Sequence, residues 1–290
     1  MRVAILGFGL IGGSIALALR RRPASEGWSV RAWSRSPDGP RDALAAGAVD
    51  LAPPTPEATI DGADLVVLAA PVPSAISLLD ELAGSWRGDL GSAVVTDVGS
   101  TKRAIVRHAA ELGLPFVGGH PMAGTDASGW DAARPDLFDG RPWVVVPAPQ
   151  VTGESVTRVR ELALACGATP LDLDASTHDR AVAAISHLPL VLSAALVEAV
   201  AGGDGAEAPD WSATRVLSAS GWRDMTRLAR GDVEMGAGIL ETNADEIAAR
   251  LRDVRTVIDA WLGELGGADG PDGSKLAARL RAARRRLEAQ

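Results

Sequence analysis

Tyrosine is absent from this 290-residue chain, cysteine occurs once, and only Lys102 and Lys275 are lysines. A lone Cys166 has no partner for an internal disulfide, which fits a reducing cytoplasm. The formal charge of −8 leaves no general basic surface, so nucleic acid is not expected as a partner. No uninterrupted apolar run reaches the roughly 18 residues of a membrane helix, so no span is expected. A strand pattern that starts at Arg2 leaves no room for a signal peptide. Arginine is plentiful alongside Ala and Gly, and its abundance by itself says little about function. What is present is an ordinary globular composition, 47% hydrophobic and 23% charged, with length enough for two domains.

The run Arg2-Val3-Ala4-Ile5-Leu6 breaks at Gly7-Phe8-Gly9-Leu10-Ile11-Gly12 and resumes as a helix carrying Ile15, Leu17 and Leu19. Strand, G-x-G-x-x-G, helix is the opening of a dinucleotide-binding fold. Gly7 permits the tight turn, Gly9 lets a pyrophosphate approach the backbone, and Gly12 lets helix and strand pack closely. The amides around Gly9, Leu10, Ile11 and Gly12 face the phosphates at the helix N-terminus. A second strand, Ser29–Trp33, ends at Ser34-Arg35-Ser36 with no acidic residue to take the adenosine ribose hydroxyls. Arg35 between two serines suits a 2′-phosphate, so NADP is expected, with NAD as the alternative.

Further buried-type strands follow at 63–70, ending at Pro71, and at 92–98, followed by Gly99-Ser100-Thr101-Lys102. Pro115-Phe116-Val117 runs into Gly118-Gly119-His120-Pro121. Gly9, Pro71, Ser100 and His120 all fall at carboxyl ends of strands, where ligands bind in such sheets. A histidine there suits a general base. His108, among alanines on a helix, reads as a surface residue. Strands at 141–147 and 169–173, joined by a helix near 156–166, complete the first domain. Beyond residue 174 only helical periodicity survives, over 181–200, 211–228, 235–262 and from Lys275, with Gly/Asp-rich loops at 202–209 and 266–273. The expected fold is α/β, a Rossmann-type dinucleotide-binding domain (1–173) followed by an all-helical domain (174–290). So apolar a helical half needs a partner surface, and a homodimer is expected.

Two more candidates lie in the helices. In Ser186-His187-Leu188-Pro189 the proline removes a hydrogen bond to Ile185 and kinks the helix, which can turn His187 towards the cleft. Arg223 and Arg227, four apart, share a helix face and need an anion between or beside them. That anion is either a neighbouring aspartate or a substrate carboxylate.

Taken together, Gly7–Ser14, Asp97-Val98-Gly99-Ser100-Thr101-Lys102, Gly119-His120-Pro121-Met122-Ala123-Gly124-Thr125, Ser186-His187-Leu188-Pro189 and Gly221-Trp222-Arg223-Asp224-Met225-Thr226-Arg227 resemble the prephenate/arogenate dehydrogenase family of tyrosine biosynthesis. The resemblance covers nearly the whole chain. It implies oxidation at C4 of a cyclohexadienyl ring, with hydride passing to the nicotinamide, loss of carbon dioxide and aromatisation. It also implies that His120 takes the 4-hydroxyl proton with Ser100 close by. Thr125 and His187 then contact substrate, Arg227 holds a carboxylate, and Arg223 stands near. Many relatives have a second histidine at the position of Leu190, and a Trp-Arg pair near Met235–Gly238. These departures bear on which ring acid is used: prephenate, arogenate or an amino-substituted prephenate. A β-hydroxyacid dehydrogenase would need a lysine from the helical half, where only Lys275 occurs; a pyrroline-carboxylate reductase is the other enzyme alternative. A non-catalytic NADP-binding redox sensor is the alternative from another class, and would have no use for His120, Ser100, His187 and Arg227 together.

Overall fold

The computed structural model describes residues 1–21, 27–125, 127–203, 205–266 and 270–288. Seven strands form one sheet in the order β2-β1-β3-β4-β5-β6-β7. They are β1 (Arg2–Leu6), β2 (Ser29–Trp33), β3 (Leu65–Leu68), β4 (Val94–Asp97), β5 (Phe116–Pro121), β6 (Pro142–Pro147) and β7 (Thr169–Asp172). All neighbours are parallel except β5 and β6. Every residue of β3 and β4 is buried, as expected where helices cover both faces of a parallel sheet. One apolar cluster gathers Ile5, Ile15, Val67 and Trp143 on one face. Another gathers Leu6, Val66, Leu79 and Phe116 on the other.

Those faces are covered by α1 (Leu10–Arg21), α2 (Asp38–Ala45), α3 (Pro56–Ile60), α4 (Val72–Ala83), α5 (Arg87–Leu90), α6 (Arg103–Glu111) and α7 (Gly153–Ala165). The chain leaves β1 for β2 on one side and returns to β3 on the other, so a crevice opens beyond the carboxyl ends of β1 and β3. β5 extends further than its apolar start suggests. Pairing with β6 carries it to Pro121 and sets His120 opposite Val144, so both glycines and the histidine lie within the sheet.

By contact density the chain divides into Met1–Ala244 and Asp245–Gln290. In the first unit, α8 (Ala175–Val182) passes through a wide π turn, Ala183–His187, into α9 (Leu188–Ala201). The distortion expected from Pro189 takes this form, with the proline in the first turn of α9, where its missing N–H is tolerated. Nine residues of regular helix turn through about 900°, which would leave His178 and His187 on opposite faces. A wide turn absorbs roughly one extra residue, about 100°, and swings His187 towards the side of His178.

The expected helix over 211–228 is instead α10 (Trp211–Thr214), a 3-10 turn at Arg215–Leu217, α11 (Ser220–Thr226) and a 3-10 turn at Arg227–Arg230. The Thr226 hydroxyl donates back to the Trp222 carbonyl at 2.7 Å, and the Ser193 hydroxyl accepts from the Ala229 amide at 3.0 Å. Arg223 and Arg227 therefore flank a helix break and do not share one α-helical face. The expected helix over 235–262 breaks at Asn243, where φ is −133°, separating α12 (Val233–Thr242) from α13 (Ala244–Leu265). Asp204 and residues 267–269, in the two expected loops, lie outside the described residues, as does Asp126.

The second unit holds most of α13 and α14 (Gly273–Glu288). The Arg279 guanidinium lies 4.3 Å above the Trp261 ring and pairs with Glu264 at 3.0 Å. In the first unit the 27-residue stretch Ala175–Ala201 is long and apolar enough to cross a membrane by length and composition, although no uninterrupted run within it predicts this. His178 and Asp179 near its start are buried and bonded to β5 and α6, and so tie it to the sheet. Only 22% of its most apolar window is buried within the chain.

Candidate active site

At the crevice, Gly7 adopts φ +96°, and a Cβ there would stand 2.4 Å from the Ala69 carbonyl oxygen. Only glycine turns the chain in that space. Around Gly9 nothing lies within 4 Å of where a side chain would begin, and α1 starts at Leu10. The first-turn amides of Leu10, Ile11 and Gly12 have no intrahelical carbonyl to meet and carry the positive end of the helix dipole, a fit for a pyrophosphate beside the open Gly9. Pro71 stands opposite, at the start of α4 after β3. Ser34 and Ser36 line a cavity of about 250 Å³ with Phe8, Asp38, Gly39, Asp42, Gly129, Trp130 and Asp131. Phe8 and Trp130 stack there at 5.4 Å. Arg35 is exposed and pairs with Glu234 at 3.4 Å.

At the catalytic end, His120 Nδ1 lies 2.8 Å from His178 Nε2, and His178 Nδ1 lies 2.8 Å from Asp179 Oδ1. Asp179 also accepts the Lys102 amide at 2.7 Å and the Arg103 amide at 2.9 Å. Burial alone would raise its carboxyl, but the His178 ring and the two amides outweigh burial and hold it below the usual carboxylate range. β5 is positioned by Asp97, which accepts the Gly119 amide at 3.0 Å and the Gly99 amide at 2.8 Å, and pairs with Lys102 Nζ. A Cβ on Gly119 would stand 2.5 Å from the Asp97 carbonyl oxygen, so close approach of β4 and β5 requires glycine beside the histidine. Burial pushes the Lys102 ammonium down, and Asp97 opposes the shift.

His187 is buried, and its tautomer follows from Asn243. The Asn243 amide oxygen accepts from Arg103 Nη2 at 3.0 Å, and its Nδ2 donates to the Asp179 carbonyl at 2.8 Å. The remaining amide hydrogen faces His187 Nδ1 at 3.2 Å, so Nδ1 accepts and the ring proton sits on Nε2. That Nε2 is buried without a partner among the described residues. An unmet buried donor costs about 1–3 kcal/mol, which a ligand acceptor would recover.

Of the residues expected at the site, the structure joins His120 and His187 through Asp179 and its partners. Ser100 follows β4 beside the His120 strand, half-buried. Thr125 lies on an exposed turn, its hydroxyl accepting the Ala127 amide at 3.2 Å. Arg223 and Arg227 are exposed, and the turn that carries Arg227 is held to α9 by the Ser193 hydroxyl. His108 pairs with Asp80 on the outer side of α6. His178, Asp179, Asn243 and the Asp97–Lys102 pair join the site without having been candidates from the sequence. The adjacency of His178 and Asp179, in a chain with four histidines, was the one local signal.

His120 is pushed well below 6.5 by burial first, then by His178, Lys102 and His187. A reaction that uses it as base is therefore expected to hold its kcat/KM as pH falls through 6.5 and to lose it only at lower pH. A pH–rate profile reads this, and an acid limb at or above 6.5 would contradict it. His187, lowered to about 4 mainly by burial, adds a stability term of the same sign. Between pH 6.5 and 4 the unfolded chain binds its proton and the folded chain does not. Stability is full above that window and falls by up to about 3 kcal/mol as pH drops through it.

Residues 15–170 match the family model described as "Prephenate dehydrogenase, nucleotide-binding domain", and residues 174–269 match "Prephenate dehydrogenase, dimerization domain". The prephenate dehydrogenase of Bacillus subtilis (strain 168) is 32% identical over 267 residues, 91% of this chain and 68% of that protein. The crystal structure of Synechocystis arogenate dehydrogenase superposes with a TM-score of 0.77 at 31% identity, covering 99% of this chain and 100% of that one. Prephenate dehydrogenase from A. aeolicus, solved with hydroxyphenyl propionate and NAD+, gives a TM-score of 0.87 at 25% identity, covering 100% and 98%.

Proposed function

The chain belongs to the prephenate dehydrogenase family, and from that premise we propose that it oxidises prephenate to 4-hydroxyphenylpyruvate, with arogenate as the alternative ring acid. It is an NAD(P)-dependent oxidoreductase. The balanced reaction takes prephenate and oxidised dinucleotide to 4-hydroxyphenylpyruvate, carbon dioxide and reduced dinucleotide, and belongs to tyrosine biosynthesis. The bound dinucleotide supplies the hydride acceptor. Gly7, Gly9, Leu10, Ile11, Gly12 and Pro71 hold it, and His120 takes the 4-hydroxyl proton as positive character develops at C4. Ser100 orients that hydroxyl. His187 Nε2–H and Thr125 donate to the substrate, and Arg223 and Arg227 close on its two carboxylates. The observation that carries this reading is His120 at the end of β5, bonded through Nδ1. Its other ring nitrogen is left for the substrate.

Arg35 supports NADP, because Glu234 holds it only at 3.4 Å with both side chains mostly exposed, and a phosphate can draw it in. Asp38, Asp42 and Asp131, around the cavity that Ser34 and Ser36 line, oppose a phosphate. Arg35→Ala is expected to cut kcat/KM with NADP by about tenfold, the worth of one exposed charged hydrogen bond, and to leave NAD unchanged. Equal loss with both cofactors would remove Arg35 from this role. The functional division falls at 173/174, the helical part pairs two copies of the chain, and the protein works in the cytoplasm. The half-buried apolar surface of α9 and the family's dimerization domain support the pairing. Turnover of prephenate and of arogenate, each with NAD and NADP, tests the whole reading. Activity in one of the four combinations supports it, and silence in all four from folded, nucleotide-binding protein overturns it.

A further inference from the structure

We propose that His178, anchored by Asp179, is the positioning residue that keeps the ring proton of His120 on Nδ1 and so leaves Nε2 bare as the base. This rests on the reading of His120 as the proton acceptor given above. Asp179 is fully buried and anchors the chain of contacts. Its two carboxylate oxygens receive the Lys102 and Arg103 amides, Arg103 Nε at 3.3 Å and His178 Nδ1 at 2.8 Å. The amides come from the N-terminus of α6, where the helix dipole favours an anion. An ionised carboxylate only accepts, so His178 Nδ1 carries a hydrogen. A neutral His178 then has a lone pair on Nε2, aimed at His120 Nδ1 at 2.8 Å. His120 Nδ1 must be the donor in that contact. The rings meet edge-on, 75° apart with centroids at 5.1 Å, so the contact is made along a ring nitrogen and not face to face.

An isolated neutral imidazole side chain prefers the opposite tautomer, with its proton on Nε2, where it could not accept a proton from substrate. The pair His178–Asp179 reverses that preference before substrate arrives. When His120 takes up the substrate proton, its new charge faces the His178 lone pair, with the Asp179 carboxylate behind it. The other groups facing His120 are Lys102, paired with Asp97, and His187, held neutral by burial and Asn243. Neither offers an acceptor to Nδ1 among the described contacts, so the tautomer depends on His178.

The test reads the proton itself. Nitrogen-15 NMR of the histidine rings, with His120 assigned by the signal lost in His120→Asn, should show wild-type His120 protonated on Nδ1 and bare on Nε2. In His178→Met, which offers no comparable acceptor, the proton should move to Nε2. There kcat should fall by about 10²–10³-fold, somewhat less than the roughly 10⁴-fold of a wrong-tautomer triad, with dinucleotide Kd unchanged. His178→Gln places a carbonyl oxygen near the lost Nε2, so it should keep the Nδ1 proton and lose no more than about tenfold. A wild-type ring protonated on Nε2 overturns the proposal. So does a Met variant that keeps the Nδ1 proton, or a Gln variant that keeps it and yet loses as much turnover as Met. If neither ring acid is turned over, the assigned function falls while the nitrogen spectrum still decides the tautomer.

Discussion

His120→Asn is expected to lower kcat by roughly 10²–10⁴-fold, the usual worth of a positioned general base. Dinucleotide affinity and melting temperature should barely move. Asparagine is the informative replacement because its side-chain amide occupies the Nδ1 position. It can still donate to His178 Nε2, so the 2.8 Å contact keeps a partner and no buried acceptor is orphaned. What disappears is the other ring nitrogen, the only part of the imidazole that reaches the substrate. The acid limb of the pH–rate profile should vanish with it. A redox sensor that bound the dinucleotide without chemistry would show no such dependence. Steady-state kinetics beside a dinucleotide titration separates the two: retained kcat, or kcat lost only in step with cofactor affinity, would remove His120 from the chemistry.

Whether a residue could be identified from the sequence depended on how far away its constraint lay. Gly7 and Gly9 were legible because a turn at φ +96° and an empty space beside a helix start are local demands that glycine meets. His120 was legible because strand, glycines and proline around it are contiguous. His178 was not. Its partner is 58 residues away, and in α8 it reads as one more polar residue on a helix. Asn243 was hidden for the same reason, reaching Asp179 across 64 residues and Arg103 across 140. The shared face for Arg223 and Arg227 assumed a regular helix. The chain leaves helical geometry at Thr226, where φ is −102° and ψ 3°, and the turn that follows is held by the Ser193 hydroxyl 36 residues away, an interaction with no periodic signature.

The largest effect on stability is expected from Lys102→Met. Lys102 and Asp97 are both fully buried and paired with each other. Asp97 keeps two further donors, the amides of Gly119 and Gly99. Removing the ammonium leaves a buried carboxylate with two neutral hydrogen bonds. Breaking one side of such a pair costs about 3–5 kcal/mol, because the remaining charge has lost its solvent and its partner. For a chain of this size that lowers the melting temperature by on the order of 10 °C. Adding Asp97→Asn should recover a large share of the loss, since the amide oxygen still accepts the Gly119 N–H and no charge remains buried. A second readout links the pair to the chemistry. Lys102 is one of the groups that push His120 down, so without it the acid limb of kcat/KM should move up towards 6.5. Thermal melts and pH–rate profiles of the single and double variants decide the matter. A Lys102→Met protein as stable as wild type, or a double variant no better than the single, would show that the pair is not what holds β4 against β5. An acid limb that stays where it was would show that Lys102 does not set the charge around His120.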